Sequence, residues 1–197
     1  MKDRVILHLC ADIGSDSEPY RKAGYTVIRV GEKQDVRCFQ PPENVHGIIA
    51  NPPCTQFSFC RTNAKAKRDL KQGLDLVWAC LNIIWVCQRR IKSDVQKFSP
   101  LKFWVLENPN GMLKWFLGHP AYQYSPHEFG DTYQKKTNLW GFFNRPEKPL
   151  ILMQELPKFD RLLSHEIHPE YFGKLTRTER RSVCSAKFAQ AFFEANP

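Results

Sequence analysis

The sequence predicts an α/β fold, a doubly wound and mainly parallel sheet with helices on both faces. Three observations carry that prediction. Apolar runs of strand length recur at residues 5–10, 25–30, 45–50 and 103–106. Stretches long enough for a helix separate several of them. Turn-forming and polar residues gather at the ends of the runs, not inside them. In a sheet of this kind ligands bind at the carboxyl ends of the strands.

Taken in order, 5–10 is the first strand, and Ala11-Asp12-Ile13-Gly14-Ser15 turns the chain. Ser17 is placed to cap a helix over 18–23, and Pro19 suits its first turn. Gly24 ends that helix and 25–30 is the second strand. Such a strand–turn–helix–strand unit holds a cofactor against the backbone or serves as a plain connection, and alone it does not separate the two. The third strand, 45–50, runs into Asn51-Pro52-Pro53-Cys54-Thr55-Gln56-Phe57-Ser58, where two prolines stop the strand and stiffen the turn. Residues 60–72 are basic and polar. They form a solvated loop or one that contacts phosphates, and their adjacency to Cys54 favours the second. Leu74, Val77, Trp78, Leu81, Ile84 and Trp85 have helical spacing and predict a core-facing stripe. The fourth strand, 103–106, ends on Glu107-Asn108-Pro109. Asn110-Gly111 then turns the chain into a short helix over 112–117, closed by Gly118. Residues 139–143 form the next strand. Residues 144–181 are weakly patterned, which predicts surface loops and a short helix. Residues 186–195 form a final amphipathic helix on Phe188, Ala189, Phe192 and Phe193.

A chain of 197 residues is one domain with a sizeable core. Its 29 Lys and Arg against 20 Asp and Glu give a net charge of +9. That suits a polyanionic partner, nucleic acid first, although charge alone is equally compatible with no such partner. The seven cysteines are odd in number and include no Cys-x-x-Cys pair, so no metal site is expected. Cys10, Cys80 and Cys87 lie in apolar runs and read as buried thiols, which fits a reducing, cytoplasmic setting. No secretory leader is expected. No membrane span is expected either, because Asn82 breaks the longest apolar stretch.

Three polar sites therefore fall at strand ends: the first turn, Cys54, and Glu107-Asn108. A lone cysteine after a turn is ordinarily a small hydrophobe, and a lone strand-end glutamate is ordinarily ion-paired. Together they suit one difficult reaction. Carbon 5 of cytosine does not take a methyl group unaided. A thiolate added to carbon 6 makes an enamine whose carbon 5 does. A carboxyl group at ring nitrogen 3 stabilises that adduct.

The order glycine turn, Pro-Pro-Cys, Glu-Asn-Pro, then Phe-Gly-x-x-x-Gln-Lys-Lys resembles the DNA cytosine-5 methyltransferases, most closely the small single-domain versions of phages and bacteria. The resemblance covers residues 5–143 and 182–196. It implies a Rossmann-like fold of the S-adenosylmethionine-dependent type, with Cys54 as nucleophile and Glu107, beside Asn108, on cytosine nitrogen 3. Gln134 and Lys136 match the first two positions of a Gln-x-Arg-x-Arg motif that supports the active-site loop, and Asn138 replaces its second arginine. S-adenosylmethionine would be held by Cys10, Ala11, Asp12, Ile13, Gly14 and Ser15, by Glu32 or Asp35 after the second strand, and by Asn51 and Pro52. Pro53, Thr55, Gln56, Ser58, Arg61, Lys65, Lys67 and Arg68 would meet the flipped base and its phosphates. Asp12 stands where a glycine is usual, and His8 where an acid is frequent. The large target-recognition domain is missing, since only residues 144–181 separate the core from the last helix. Sequence specificity would then be short, loose or supplied by a companion protein. Asn51-Pro52-Pro53 also echoes the Asn-Pro-Pro-aromatic motif of adenine amino-methyltransferases, but Cys54 cannot stack on a base. Two rival classes remain: a related enzyme with another donor, a nucleotide or RNA, and a non-catalytic DNA-binding homologue.

Overall fold

The computed structural model describes residues 4–11, 13–31, 33–61, 65–89, 101–149 and 156–197. Its centre is a six-stranded sheet, β1 (Val5–Leu9), β2 (Thr26–Val30), β3 (Val45–Ala50), β4 (Phe103–Pro109), β5 (Tyr122–Tyr124) and β6 (Thr137–Phe142), in the order β2-β1-β3-β4-β6-β5. β2, β1, β3 and β4 run parallel. β6 enters between β4 and β5 and is antiparallel to both. The sheet is therefore mixed, where the sequence predicted a mainly parallel one. The missed element is β5, three residues long and hidden in a polar stretch, which lets the chain reverse before β6.

Period-two alternation sends successive side chains to opposite faces. Leu7, Leu9, Ile48, Ala50 and Leu106 face helix α2 (Leu70–Arg89), and Ile6, Ile49, Phe103, Val105 and Leu139 face the opposite layer. That layer holds α1 (Glu18–Lys22) and α5 (Ala186–Ala195). Helices thus cover both faces. Ser17 precedes α1 as foreseen, but its hydroxyl does not cap the helix. It instead lies 2.8 Å from His8 Nδ1 and donates to the Gly14 carbonyl at 3.2 Å, joining β1 to the first turn.

α2 packs on a different stripe from the one its apolar spacing suggested. The buried positions are Gly73, Val77, Cys80, Ile83, Ile84 and Cys87, while Trp78 and Trp85 are 70% and 54% exposed. Small residues explain the choice. A Cβ on Gly73 would sit 2.8 Å from the Phe57 ring, so the helix can approach the loop this closely because it carries a glycine there. Trp85 instead carries the Arg89 guanidinium 4.7 Å above its ring. By length and composition α2 also qualifies to cross a membrane, but its small-residue seam lies on the sheet.

α5 forms where predicted. Ser185 caps it through the Phe188 N–H at 3.1 Å, and Phe188 stacks on Tyr124 with ring centroids 3.5 Å apart. Asn196 fastens its end, accepting from Asn144 N at 2.7 Å and donating to Asn144 O at 2.9 Å. Residues 156–183 hold turns and a short helix, as the sequence predicted for this stretch. They gather around Arg180, which is 3% exposed at the end of a short helix, α4 (Arg177–Ser182). Its guanidinium donates to the carbonyls of Ser164, Ile167 and Leu175 and lies over the Phe172 ring.

Candidate active site

The carboxyl ends of β1, β3 and β4 meet at one edge. From β1 the chain leaves through Cys10, in the left-handed region with φ 55°, and turns again at Gly14, φ 77°. A Cβ on Gly14 would sit 2.7 Å from the Arg29 side chain, whose Nη1 donates to Ile13 O at 3.0 Å. Asp12 and Glu32 lie outside the described residues. Asp35 is exposed and engaged locally. It caps a 3-10 turn and pairs with Arg37 at 2.6 Å, and the Arg37 hydrogen bonds hold its carboxyl down at about 2.

Asn51 follows β3. Its Nδ2 donates to Asp16 Oδ1 at 3.1 Å, while its buried Oδ1 has no hydrogen-bond partner. Ser15 Oγ reaches Asp16 Oδ2 at 3.3 Å and accepts from Cys184 N at 2.9 Å, which ties the approach to α5 onto the first turn. Pro52 is buried, and its carbonyl accepts from Asn108 Nδ2 at 2.8 Å. That bond links β4 to the loop carrying Cys54. A second link lies beyond it, where Met112 N donates to Phe57 O at 2.8 Å and Gly111 bridges Ser58. A Cβ on Gly111 would fall 2.4 Å from Phe57 O, so this approach requires glycine.

Glu107 points to the α5 face and lines a cavity of about 20 Å³ with Asp16, Cys184 and Phe188. Burial pushes its carboxyl up to about 7, against the lowering effect of Lys135 and with the help of Asp16. The Cys54 thiol is also pushed up, first by burial. Lys135 and Arg181 oppose that shift and Glu107 adds to it. These four groups therefore lie within electrostatic reach of one another.

The remaining expected site residues divide. Arg68 donates to the carbonyls of Gln56 and Ser58 at 2.9 and 2.8 Å, and Arg61 donates to Gln56 Oε1 at 3.2 Å. These two arginines build the Cys54 loop from behind. Lys65, Lys67, Pro53 and Thr55 are exposed. Gln134 pairs through its backbone with Pro157 and Phe159. Lys136 is exposed, and it is Lys135 that faces the site, its Nζ donating to Arg181 O at 2.9 Å and lying 5.0 Å over the Phe159 ring. Sequence reasoning passed over Lys135, Asp16, Arg181 and Cys184. Alternation within the strand-like approach to β6 was the available signal for Lys135. The other three come together only through α5 and its approach.

Comparison with known proteins found no family model that matches this chain and no curated protein sequence that matches it.

Proposed function

We propose that this chain methylates carbon 5 of cytosine in DNA, using S-adenosylmethionine and a Cys54 adduct. The observation that carries the reading is the convergence of Cys54 and Glu107 from the ends of adjacent parallel strands, joined through Asn108 and Pro52. The parallel half of the sheet, with helices on both faces and a reversal of strand order between β1 and β3, supports a doubly wound Rossmann-like fold of the methyltransferase type.

In this reading Cys54 adds to carbon 6 of a cytosine taken out of the stack. Protonated Glu107 donates a hydrogen bond to ring nitrogen 3, so electron density moves onto carbon 5 and the ring. Once carbon 5 has taken the methyl group, its proton passes to solvent water, the C5–C6 double bond re-forms, and the C–S electron pair leaves with sulfur as the thiolate. Asn108 is a positioning residue that fixes the Pro52 carbonyl and with it the loop. The residues of the first turn suit a cationic, hydrogen-bonding cofactor. Asn51 Oδ1 is a buried acceptor in want of a donor, and the Asp16 carboxylate lies beside it. When bound, S-adenosylmethionine supplies an electrophilic methyl group. Lys65 and Lys67 meet phosphates as point charges.

The test is DNA in which 5-fluorocytosine replaces cytosine. Fluorine cannot leave as a proton does, so the adduct persists. Wild-type protein with S-adenosylmethionine should give a denaturation-resistant complex, and Cys54→Ala should give none. Methylation of ordinary DNA by Cys54→Ala would overturn the mechanism. The raised Cys54 thiol favours one other reading, a DNA-binding homologue without transfer, which cofactor-independent DNA binding and no adduct would support.

A further inference from the structure

On the α2 side of the sheet lies a second polar cavity that the proposed reaction does not use. It holds about 310 Å³ between α3 (Lys114–Leu117) and the β5–β6 edge, and Lys114, Trp115, His119, Gln123 and Asn138 line it. Asn138 lies across from Gln123 in register and accepts from its Nε2 at 2.6 Å. Asn138 is 1% exposed, yet its Nδ2 has no hydrogen-bond partner. A buried amide that keeps one polar atom unpaired next to open space is a site in want of a ligand atom. Beside it Trp115 is 64% exposed. Phe59, on the Cys54 loop, stands 5.9 Å from the Trp115 ring, and Lys114 Nζ is 5.9 Å from the centre of the Phe59 ring. Aromatic faces interleaved with a cation beside a polar notch match one chemistry well, that of a base with its phosphate.

We infer that this cavity binds a second nucleobase of the same DNA, one flanking the cytosine presented to Cys54. The base stacks on Trp115, the Asn138 amide reads its edge, and Lys114 meets its phosphate. The inference rests on the DNA reading above. It supplies a contact that reads sequence next to the reacting base.

The experiment measures fluorescence anisotropy of labelled cytosine-containing oligonucleotides with wild-type protein and with Trp115→Ala, an exposed substitution that leaves the core intact. Loss of one stacked base weakens binding about 5- to 150-fold, the equivalent of about 1–3 kcal/mol. Trp115→Phe should recover most of it. Oligonucleotides carrying 5-iodouracil at successive positions should crosslink to Trp115 from one position relative to the cytosine. Changing the base at that position should alter wild-type affinity, and Asn138→Leu should flatten the difference. Wild-type affinity in Trp115→Ala, or crosslinks that map away from Trp115, would overturn the inference. Weakened binding in Trp115→Ala together with no methyl transfer by the wild type would uphold this site and remove the methyltransferase reading. Transfer by Trp115→Ala with unchanged affinity and sequence preference would do the reverse.

Discussion

Replacing Glu107 with Gln should make the folded chain more stable at alkaline pH and leave it unchanged in acid. The folded state holds the Glu107 proton up to about 7, against an ordinary 4.5. Below 4.5 the folded and unfolded chains are both protonated there, and the site has no effect. Between 4.5 and 7 the folded chain keeps a proton that the unfolded chain has lost, so stability falls as pH rises. Above about 7 the whole penalty is in place. At about 1.4 kcal/mol for each tenfold change in proton affinity, and with some solvent screening at a partly exposed side chain, this comes to about 2–3 kcal/mol. Glutamine has no charge to bury and escapes the penalty. Urea denaturation followed by tryptophan fluorescence at pH 5 and pH 8 measures it, because other groups titrate alike in both proteins. The stability gap should open from near zero to about 2–3 kcal/mol, with a melting temperature about 5–10 °C higher at pH 8. A Gln variant that is less stable than wild type at pH 8, or a gap that does not grow with pH, would refute the argument that burial raises this carboxyl. In the proposed reaction, methyl transfer should meanwhile fall about 10²- to 10⁴-fold, since the amide cannot supply the proton.

Lys135→Met removes the cation that holds down both Cys54 and Glu107. Alkylation of Cys54 at pH 8 should slow by up to about tenfold, read by mass spectrometry of the labelled peptide; an unchanged rate would detach Lys135 from the site. Gly111→Ala forces a Cβ onto the Phe57 carbonyl, 2.4 Å away. It should destabilise by about 1–3 kcal/mol in a thermal melt and reduce activity further still, because the displaced loop carries Cys54. Arg180→Leu leaves the carbonyls of Ser164, Ile167 and Leu175 without their donor. A loss of about 3 kcal/mol is expected, with faster hydrogen exchange across residues 156–183, and slow exchange there would mean that the segment is held by something else.

What was legible in the sequence was whatever rests on local pattern. β3 and α5 lie where their runs predicted, and Pro52 and Pro53 end β3 where a stop was read. Cys54 and Glu107 share an edge because adjacent parallel strands deliver their carboxyl ends to the same side, a consequence of topology that the runs already implied. The seam of α2 was not legible. Trp78 and Trp85 carry far more apolar surface than Cys80 and Cys87, yet the helix meets the Phe57 ring at Gly73 and buries the cysteines while both tryptophans stay exposed. Nor was the lysine legible from the Gln-Lys-Lys motif. Lys135 and Lys136 are neighbours with the same charge, and only the chain direction into β6 turns the first inward and the second out. Arg180 sits in a polar stretch that reads as surface, and its burial depends on three carbonyls that no sequence pattern brings together.

The charges around Cys54 also say when it should react. The negative forms of Cys54 and Glu107 oppose one another, and Lys135 and Arg181 oppose the neutral form of the thiol. Ionising both at once is therefore disfavoured. In the free protein burial keeps the proton on sulfur and leaves the charge to Glu107, which ionises near 7. Passing that proton from sulfur to the Glu107 carboxylate keeps the net charge and produces a thiolate beside a protonated acid. A cytosine nitrogen 3 accepting from Glu107 favours this second arrangement, so the base itself would switch on the nucleophile. Without DNA, iodoacetamide at pH 7.5 should label Cys54 more slowly than the exposed thiols Cys38 and Cys60 of the same molecule. Labelling of Cys54 as fast as those two would mean that the thiolate exists before the base arrives, and the proton exchange with Glu107 would have no part in its activation.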